Sequence, residues 1–333
     1  MAVAKQALDT AGLSEQQLRE MHYKMALGRS LSARQRVLQR MGKGPITYSG
    51  EGHEAAQVGT AYALRPGHDW VFPYYRDIAV ALTLGLTPRD VLMSFFARRD
   101  DVNSGGRNMP SHFSHPQLRI VSEGAPVATQ CPHAVGCALA AKLRGLDEVS
   151  VAYFGDGGTS PGDTHEAMNF AGVLKVPVIF VCEFNSYAIS VPWRKQAAVE
   201  NVAVRAQGYG FPGLTVDGND VLAVYRAMKE AVERARAGAG ATFLEAKTYR
   251  LVPHSSDDDD RRYRTREEVE DWSQRDPIGR FTRQLKELGV LDEVREKETA
   301  ARVEAEVDDA TNYPEAAAQP EAASALRHVF VEA

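Results

Sequence analysis

Three glycines around a single acid, Gly155-Asp156-Gly157-Gly158, and an asparagine about thirty positions further on, Asn185, are the residues of this chain best suited to chemistry. The glycines let the backbone turn tightly and approach a bulky anion, and a helix starting just after them offers free N–H groups and a partial positive charge. A diphosphate fits that description. Its charges would repel a lone carboxylate unless a hard divalent cation lay between them. Magnesium takes oxygen ligands in near-octahedral geometry, and could be shared by the diphosphate, the Asp156 carboxylate, the Asn185 amide oxygen, a nearby backbone carbonyl and water. A bare Gly-Asp-Gly is an ordinary turn. The asparagine beyond a helix and a strand, in Asn185-Ser186-Tyr187-Ala188-Ile189-Ser190, makes the pattern far more demanding.

Such residues need strands that end beside them. Val149 to Phe154 is an apolar run with β-branched and aromatic members that stops at Gly155, as a buried parallel strand does. Ser160-Pro161-Gly162-Asp163 reads as N-cap, Pro at N1 and an acid at N3, which predicts a helix to about Leu174. Pro177 to Cys182 is the next strand, so the three form a right-handed βαβ unit. The rhythm repeats with a strand at Leu214–Val216, a turn at Asp217-Gly218-Asn219-Asp220, a helix over Val221–Arg236 and a strand over Thr242–Tyr249. Upstream, Ser14 to about Met41 has helical spacing, as one long amphipathic helix or a broken pair, with Ser14 as N-cap and Gln17 at N3. A further helix starts at His53-Glu54 and ends near Arg65-Pro66-Gly67. The fold class is α/β, a mostly parallel sheet with helices on both faces, in which ligands sit outside the carboxyl ends of the strands. The expected division is an N-terminal arm over 1–13, the α/β domain over 14–310, and an Ala-, Glu- and Pro-rich docking arm over 311–333.

Composition narrows the partners. The 333 residues are 44% hydrophobic and 25% charged, a globular profile, and a net charge of −5 with scattered Lys and Arg offers no footprint for nucleic acid. Three cysteines without a CxxC pair argue against a disulfide framework or a zinc site. The first residues lack a signal-peptide pattern, and no apolar run reaches a membrane span of about 18 residues, so the expected location is cytoplasmic, away from membranes.

The Gly155–Asn185 segment resembles the thiamine diphosphate motif of the E1 α subunits of pyruvate and branched-chain 2-oxo acid dehydrogenases. Other segments resemble the same family in the same order: Gly52-His53-Glu54-Ala55, Phe72-Pro73-Tyr74-Tyr75-Arg76-Asp77, Gly106-Arg107-Asn108-Met109-Pro110 with His112, Ala128-Thr129-Gln130, Val216-Asp217-Gly218-Asn219-Asp220 and Pro253-His254-Ser255. The resemblance implies that Asp156, Asn185 and the Tyr187 carbonyl bind Mg2+, and that Tyr75, Arg76 and the Gly155, Gly157 and Gly158 turn hold the diphosphate. It places Val127 and Ile189 at the cofactor rings, His254 as the active-site loop histidine, and His112 on the substrate side with Met109 and Tyr75. It also implies an α2β2 heterotetramer with the E1 β subunit, the cofactor at the α–β interface, and transfer of the acyl unit to the lipoyl group of E2. In such enzymes C2 of the thiamine ring attacks the carbonyl of the 2-oxo acid and accepts the electrons left by CO2.

Branched-chain substrates are favoured over pyruvate by the resemblance of Arg65-Pro66-Gly67, Asp69-Trp70-Val71-Phe72-Pro73-Tyr74-Tyr75-Arg76 and Pro253-His254-Ser255-Ser256 to bacterial branched-chain enzymes; acetoin cleavage is a further alternative. Pro126, Thr129 and Gln130 match a family potassium site, although Gly124 and Ala125 stand where serine is usual. The family usually shows two adjacent asparagines where this chain reads Glu183-Phe184-Asn185. Glu183 takes the place of a phosphate-facing Arg in some relatives, so that contact is expected to be lost or turned to solvent. In some eukaryotic relatives the serine after the histidine is phosphorylated, here Ser255; a phosphate there would be repelled by Asp257 and Asp258. Two rivals are a non-catalytic assembly subunit, motivated by Glu183 and Phe184, and a nicotinamide-dependent oxidoreductase, whose Gly-x-Gly-x-x-Gly turn is missing from the strand ends. His22, His68, His115 and His328 have no assigned role, and the cysteines read as packing residues.

Overall fold

The computed structural model describes residues 10–122, 124–327 and 329–330. It opens with α1 (Glu15–Arg40), one unbroken helix closed by a capping box in which Ser14 Oγ accepts from Gln17 N and Gln17 Oε1 accepts from Ser14 N. Helix α2 (Glu54–Ala61) is shorter than expected, because its last turn tightens: Ala63 N donates to Thr60 O and Leu64 N to Ala61 O, while Arg65 N is taken by Asp69. There follow β1 (Trp70–Phe72), α3 (Ile78–Leu84), α4 (Pro88–Phe95), α5 (Gln130–Leu143) and β2 (Ser150–Gly155).

Beyond β2 the chain makes a 3₁₀ turn over Asp156–Thr159 before α6 (Gly162–Leu174). Ser160 is therefore not the N-cap; Pro161 is, with no side-chain bond. Ser160 instead closes the 3₁₀ turn through its N–H to Gly157 O, and Thr164 Oγ1 donates to Gly158 O at 2.5 Å to secure the junction. Strand β3 (Val178–Phe184) runs two residues past Cys182, and then come a small hairpin of β4 (Tyr187–Ala188) and β5 (Val191–Pro192), β6 (Gly213–Asp217), α7 (Val221–Arg236) and β7 (Thr242–Lys247). Strand β7 stops short of Tyr249 because Thr248 N bonds to the last carbonyl of β3, that of Phe184, and the ladder runs out. Three helices close the chain: α8 (Arg266–Ser273), α9 (Pro277–Glu287) and α10 (Glu293–Ala316). Helix α10 continues past position 311, with Thr311 and Pro314 buried.

The main sheet is parallel throughout, in the order β1-β2-β3-β7-β6. Alternation along its strands divides the core. Val151, Tyr153, Ile179, Val181 and Leu244 belong to one apolar cluster with side chains of α1, α2, α3, α4, α7 and α10, whereas Ala152, Phe154, Val178, Phe180, Cys182 and Phe243 belong to another with side chains of α5 and α6. Both faces are covered, so the central strands are mostly apolar, with Glu183 on β3 and Glu245 on β7 as buried exceptions. Among the described residues no helix is long and apolar enough to cross a membrane.

Close packing also constrains α6. A Cβ at Gly172 would lie 1.9 Å from the Tyr209 carbonyl oxygen. Alanine there gains about 1 kcal/mol of helix propensity, but forcing the helix off a backbone carbonyl costs about 1–3 kcal/mol or more. Gly172→Ala is therefore expected to lower the urea midpoint, and a raised midpoint would contradict this packing.

Candidate active site at the carboxyl edge of the sheet

Four strands deliver the site. The chain leaves β1 into Tyr74-Tyr75-Arg76, β2 into Asp156, β3 into Asn185, and β7 into Arg250 and His254. Between these ends lies a cleft of about 200 Å³. Its walls are Tyr75, Arg76, Val127, Gly155, Asp156, Gly157, Gly158, Asn185, Tyr187, Ile189 and His254, joined by Tyr74 and Ala188. Met109 and His112 are not in that wall: Met109 is exposed on the loop before α5, and His112 is buried there with Nδ1 3.1 Å from Pro110 O. A larger groove of about 710 Å³ between α1 and α10 contains charges that neutralise one another, such as Arg302 with Glu306.

Asp156 is fully buried at the cleft floor. Its Oδ1 accepts from Asn185 N at 3.3 Å and its Oδ2 from Gln196 Nε2 at 3.0 Å, and burial pushes its carboxyl above the ordinary range. An anion in that position gains from a cation beside it. Asn185 Oδ1 accepts from Tyr187 N at 3.3 Å, which ties the asparagine to the next turn. Among the described residues no group of three or more His, Cys, Asp or Glu side chains could hold a metal. A divalent ion at Asp156 would therefore draw on amide and carbonyl oxygens and on oxygens of a bound ligand.

The glycines differ in purpose. A Cβ at Gly157 would lie 2.9 Å from that of Ala188, and one at Gly158 2.9 Å from that of Phe154, so packing excludes side chains there. At Gly155 nothing lies closer than 3.8 Å, and φ is −85°. Neither strain nor packing requires glycine at 155, and the space where its side chain would stand belongs to the cleft.

Positive charge is concentrated on the other side. Arg76 and Arg250 are almost completely buried, and among the described residues neither pairs with a carboxylate. Both donate to one acceptor, His254 Nδ1, from Arg76 Nη2 at 2.9 Å and Arg250 Nη1 at 2.8 Å. Their remaining bonds go to carbonyls, Arg76 Nη1 to Ser49, Arg76 Nη2 to His254 and Arg250 Nη2 to Ile189. Burial, with the two guanidiniums, pushes the His254 imidazole down to about 2, and burial lowers Arg250 to about 10. His254 is consequently neutral, with its proton on Nε2. Two buried cations with only neutral acceptors make an anion site. Val127 and Ile189 are exposed, and the backbone beside them is strained: Ala128 has φ +77° and the β-branched Ile189 φ +54°.

The sequence model for the dehydrogenase E1 component matches residues 22–323. The chain belongs to that family. It is 50% identical over 321 residues to the 2-oxoisovalerate dehydrogenase subunit alpha of Bacillus subtilis, covering 96% of this chain and 97% of the relative. It is 42% identical over 301 residues to the 3-methyl-2-oxobutanoate dehydrogenase subunit alpha of Mycobacterium tuberculosis, covering 90% and 79%. The identity is 38% over 296 residues to the pyruvate dehydrogenase E1 component subunit alpha of Staphylococcus aureus, covering 89% and 77%.

In this E1 chain Glu183 is not turned to solvent. It sits opposite Gly155 in the sheet and alternates with Cys182 and Phe184, so it points to the α2 side, where it is fully buried. His53 Nδ1 lies 2.7 Å from Glu183 Oε2, and Gln57 Nε2 and the Tyr74 hydroxyl donate to the same oxygen at 3.1 and 3.0 Å. Burial alone would raise its carboxyl, but the hydrogen bond and charge of His53 outweigh that and hold it below its usual range. Phe184 is core, with its ring edge-on to Trp193 at 5.0 Å. Thr129 Oγ1 donates to Pro126 O and Gln130 Nε2 to Tyr153 O. Burial raises the thiols of Cys131 and Cys182, that of Cys131 to about 12, which leaves both unreactive. His22 bonds to Thr282 and His68 to Asp147; His328 lies outside the described residues.

Arg250 and Gln196 escaped sequence reasoning. Arg250 had a signal, a basic residue just past a strand that ends at this edge; Gln196, forty positions from Asp156, had none.

Two measurements test the electrostatics. Removing one partner of a buried pair strands the other, so Glu183→Ala is expected to cost about 3–5 kcal/mol in urea unfolding, and Glu183→Gln clearly less; equal losses would contradict a charged pair. His254 should stay neutral as pH falls. A depressed pKa means that only the unfolded chain takes the proton between about 6.5 and about 2, so the group's contribution turns destabilising as pH drops through that window. Histidine NMR of the cofactor-free protein should show His254 as the unshifted Nε2–H tautomer at pH 5.5, and a midpoint near 6.5 would exclude the arginine-bound geometry.

Proposed function

We propose that this chain is the α subunit of a thiamine-diphosphate-dependent E1 that oxidatively decarboxylates a branched-chain 2-oxo acid of the 3-methyl-2-oxobutanoate type and passes the acyl group to the lipoyl group of E2. The carrying observation is the cleft itself: its wall holds the buried Arg76 guanidinium, the buried Asp156 carboxylate and a glycine turn, with the buried Arg250 guanidinium bonded behind it to His254 and Ile189. That arrangement suits a diphosphate together with Mg2+. The greater identity to the 2-oxoisovalerate relative than to the pyruvate dehydrogenase relative supports the substrate class.

On this reading Asp156, the Asn185 amide oxygen and the Tyr187 carbonyl hold Mg2+. Arg76 and Arg250, with Tyr75 and the Gly155–Gly158 turn, hold the diphosphate, and Val127 and Ile189 flank the rings. Bound thiamine diphosphate supplies the carbanion and the electron sink for loss of CO2. His254 offers a neutral Nε2–H to oxygen charge developing at the substrate, and His112, with Met109 and Tyr75, serves the substrate side. The cleft is open and Met109 and His112 stand outside its wall, which suits an E1 β subunit completing the site in an α2β2 assembly. Three free cysteines suit a cytoplasmic location. A K+ ion at Pro126, Thr129 and Gln130 belongs to the same proposal, supported by the family resemblance alone. Glu183 and Phe184 lend no support to a non-catalytic subunit, since both side chains point away from the cleft.

The reconstituted α–β enzyme should decarboxylate 3-methyl-2-oxobutanoate with kcat/KM about 10-fold or more above that for pyruvate, a ratio within reach of pocket contacts. A preference for pyruvate or acetoin would overturn the substrate class. Asp156→Ala should reduce turnover at limiting Mg2+ by at least about 100-fold, and full activity would remove Asp156 from the metal site.

A further inference from the structure

Three helices begin with Ser or Thr followed three residues later by a residue able to reach back. In α1 and α4 the box closes, through Gln17 to Ser14 N and Asp90 to Thr87 N. In α8 only half of it forms. Thr265 accepts from Glu268 N at 3.1 Å, but the Glu268 carboxylate does not return to the Thr265 backbone. It accepts instead from the Tyr187 hydroxyl, at 2.9 and 3.1 Å to its two oxygens, and from the Tyr249 hydroxyl at 2.9 Å. A carboxylate withdrawn from its own helix cap is held for another task.

That task lies at Tyr187. The two-residue strand β4 is bracketed by non-glycine residues with positive φ, Ser186 at +71° and Ile189 at +54°. Such backbone persists only where its surroundings over-determine it. Locally, Trp193 N donates to Ser186 O and Arg250 Nη2 to Ile189 O. Glu268 adds a tether from a separate element, on a helix whose Trp272 stacks on Tyr249 at 5.0 Å with parallel planes. Between His254 at the cleft and α8 runs a loop that contains Asp257-Asp258-Asp259-Asp260, so the tether joins the far end of that loop to the turn that carries the Tyr187 carbonyl.

We propose that Glu268 is a positioning residue that fixes the Tyr187 turn for Mg2+, and so couples the docking of α8 to occupancy of the metal site. This rests on the reading of Asp156, Asn185 and Tyr187 as metal ligands. Titration of Mg2+ into the α–β complex at fixed thiamine diphosphate, followed by calorimetry, tests it. Glu268→Ala and Tyr187→Phe should each weaken Mg2+ binding about 10-fold, and the double variant should be no weaker than either alone. Glu268→Gln, which still accepts a hydroxyl hydrogen bond, should recover most of the affinity. Tyr249→Phe, which leaves the Tyr187 contact intact, should stay within about 3-fold of the parent. Unchanged affinity in Glu268→Ala, multiplying effects in the double variant, or an equal loss in Tyr249→Phe would each overturn the proposal. Asp156→Ala separates the two layers: if it bound Mg2+ normally the metal assignment itself would fail, whereas its loss of binding beside a normal Glu268→Ala would sink the tether alone.

Discussion

The cleft is organised by buried positive charge that the protein leaves without an anion. Arg76 and Arg250 lie out of water, share one imidazole nitrogen and otherwise meet carbonyls. Burying cations in this way is costly, and the fold bears that cost where four parallel strands end together. Much nearby structure follows from it. His254 must be neutral to accept both guanidiniums, the Ile189 turn must present its carbonyl to Arg250, and the Asp156 carboxylate on the floor takes its hydrogen bonds from Asn185 and Gln196 instead.

A second buried charge system stands behind the first and is kept separate. Glu183 lies on β3, next to the strand that carries Gly155, yet alternation along the strand sends its side chain to the α2 side. Its acidity is consumed by His53, Gln57 and Tyr74 rather than set against a phosphate. Sheet periodicity thus allows an acid within two residues of Asn185 without adding negative charge to the cleft.

What was legible in the sequence was what local chemistry dictates. The apolar run ending at Gly155, the Ser14–Gln17 box and the helix over Val221–Arg236 each depend on neighbours a few residues away, and each lies where the pattern places it. The cofactor-side residues named from the family resemblance line one cleft because strand ends converge on one edge of a parallel sheet. The Ser160 cap did not form, since closing a 3₁₀ turn after Asp156 competed for the same residue. The direction of Glu183, the reach of Gln196 to Asp156 and the diversion of Glu268 are contacts across 40 to 130 positions, and no short pattern encodes them.

Gly155 separates two demands that usually coincide. Gly157 and Gly158 are glycine because the folded chain has no room for anything else. Gly155 has room and an ordinary backbone conformation, so a methyl group there would leave the empty protein intact. A survey of variants by expression or melting would find the position permissive, and only a selection that depends on the enzyme's turnover would reveal a constraint. Within a single turn, then, two glycines are kept by folding, and the third is left to whatever the cleft must admit.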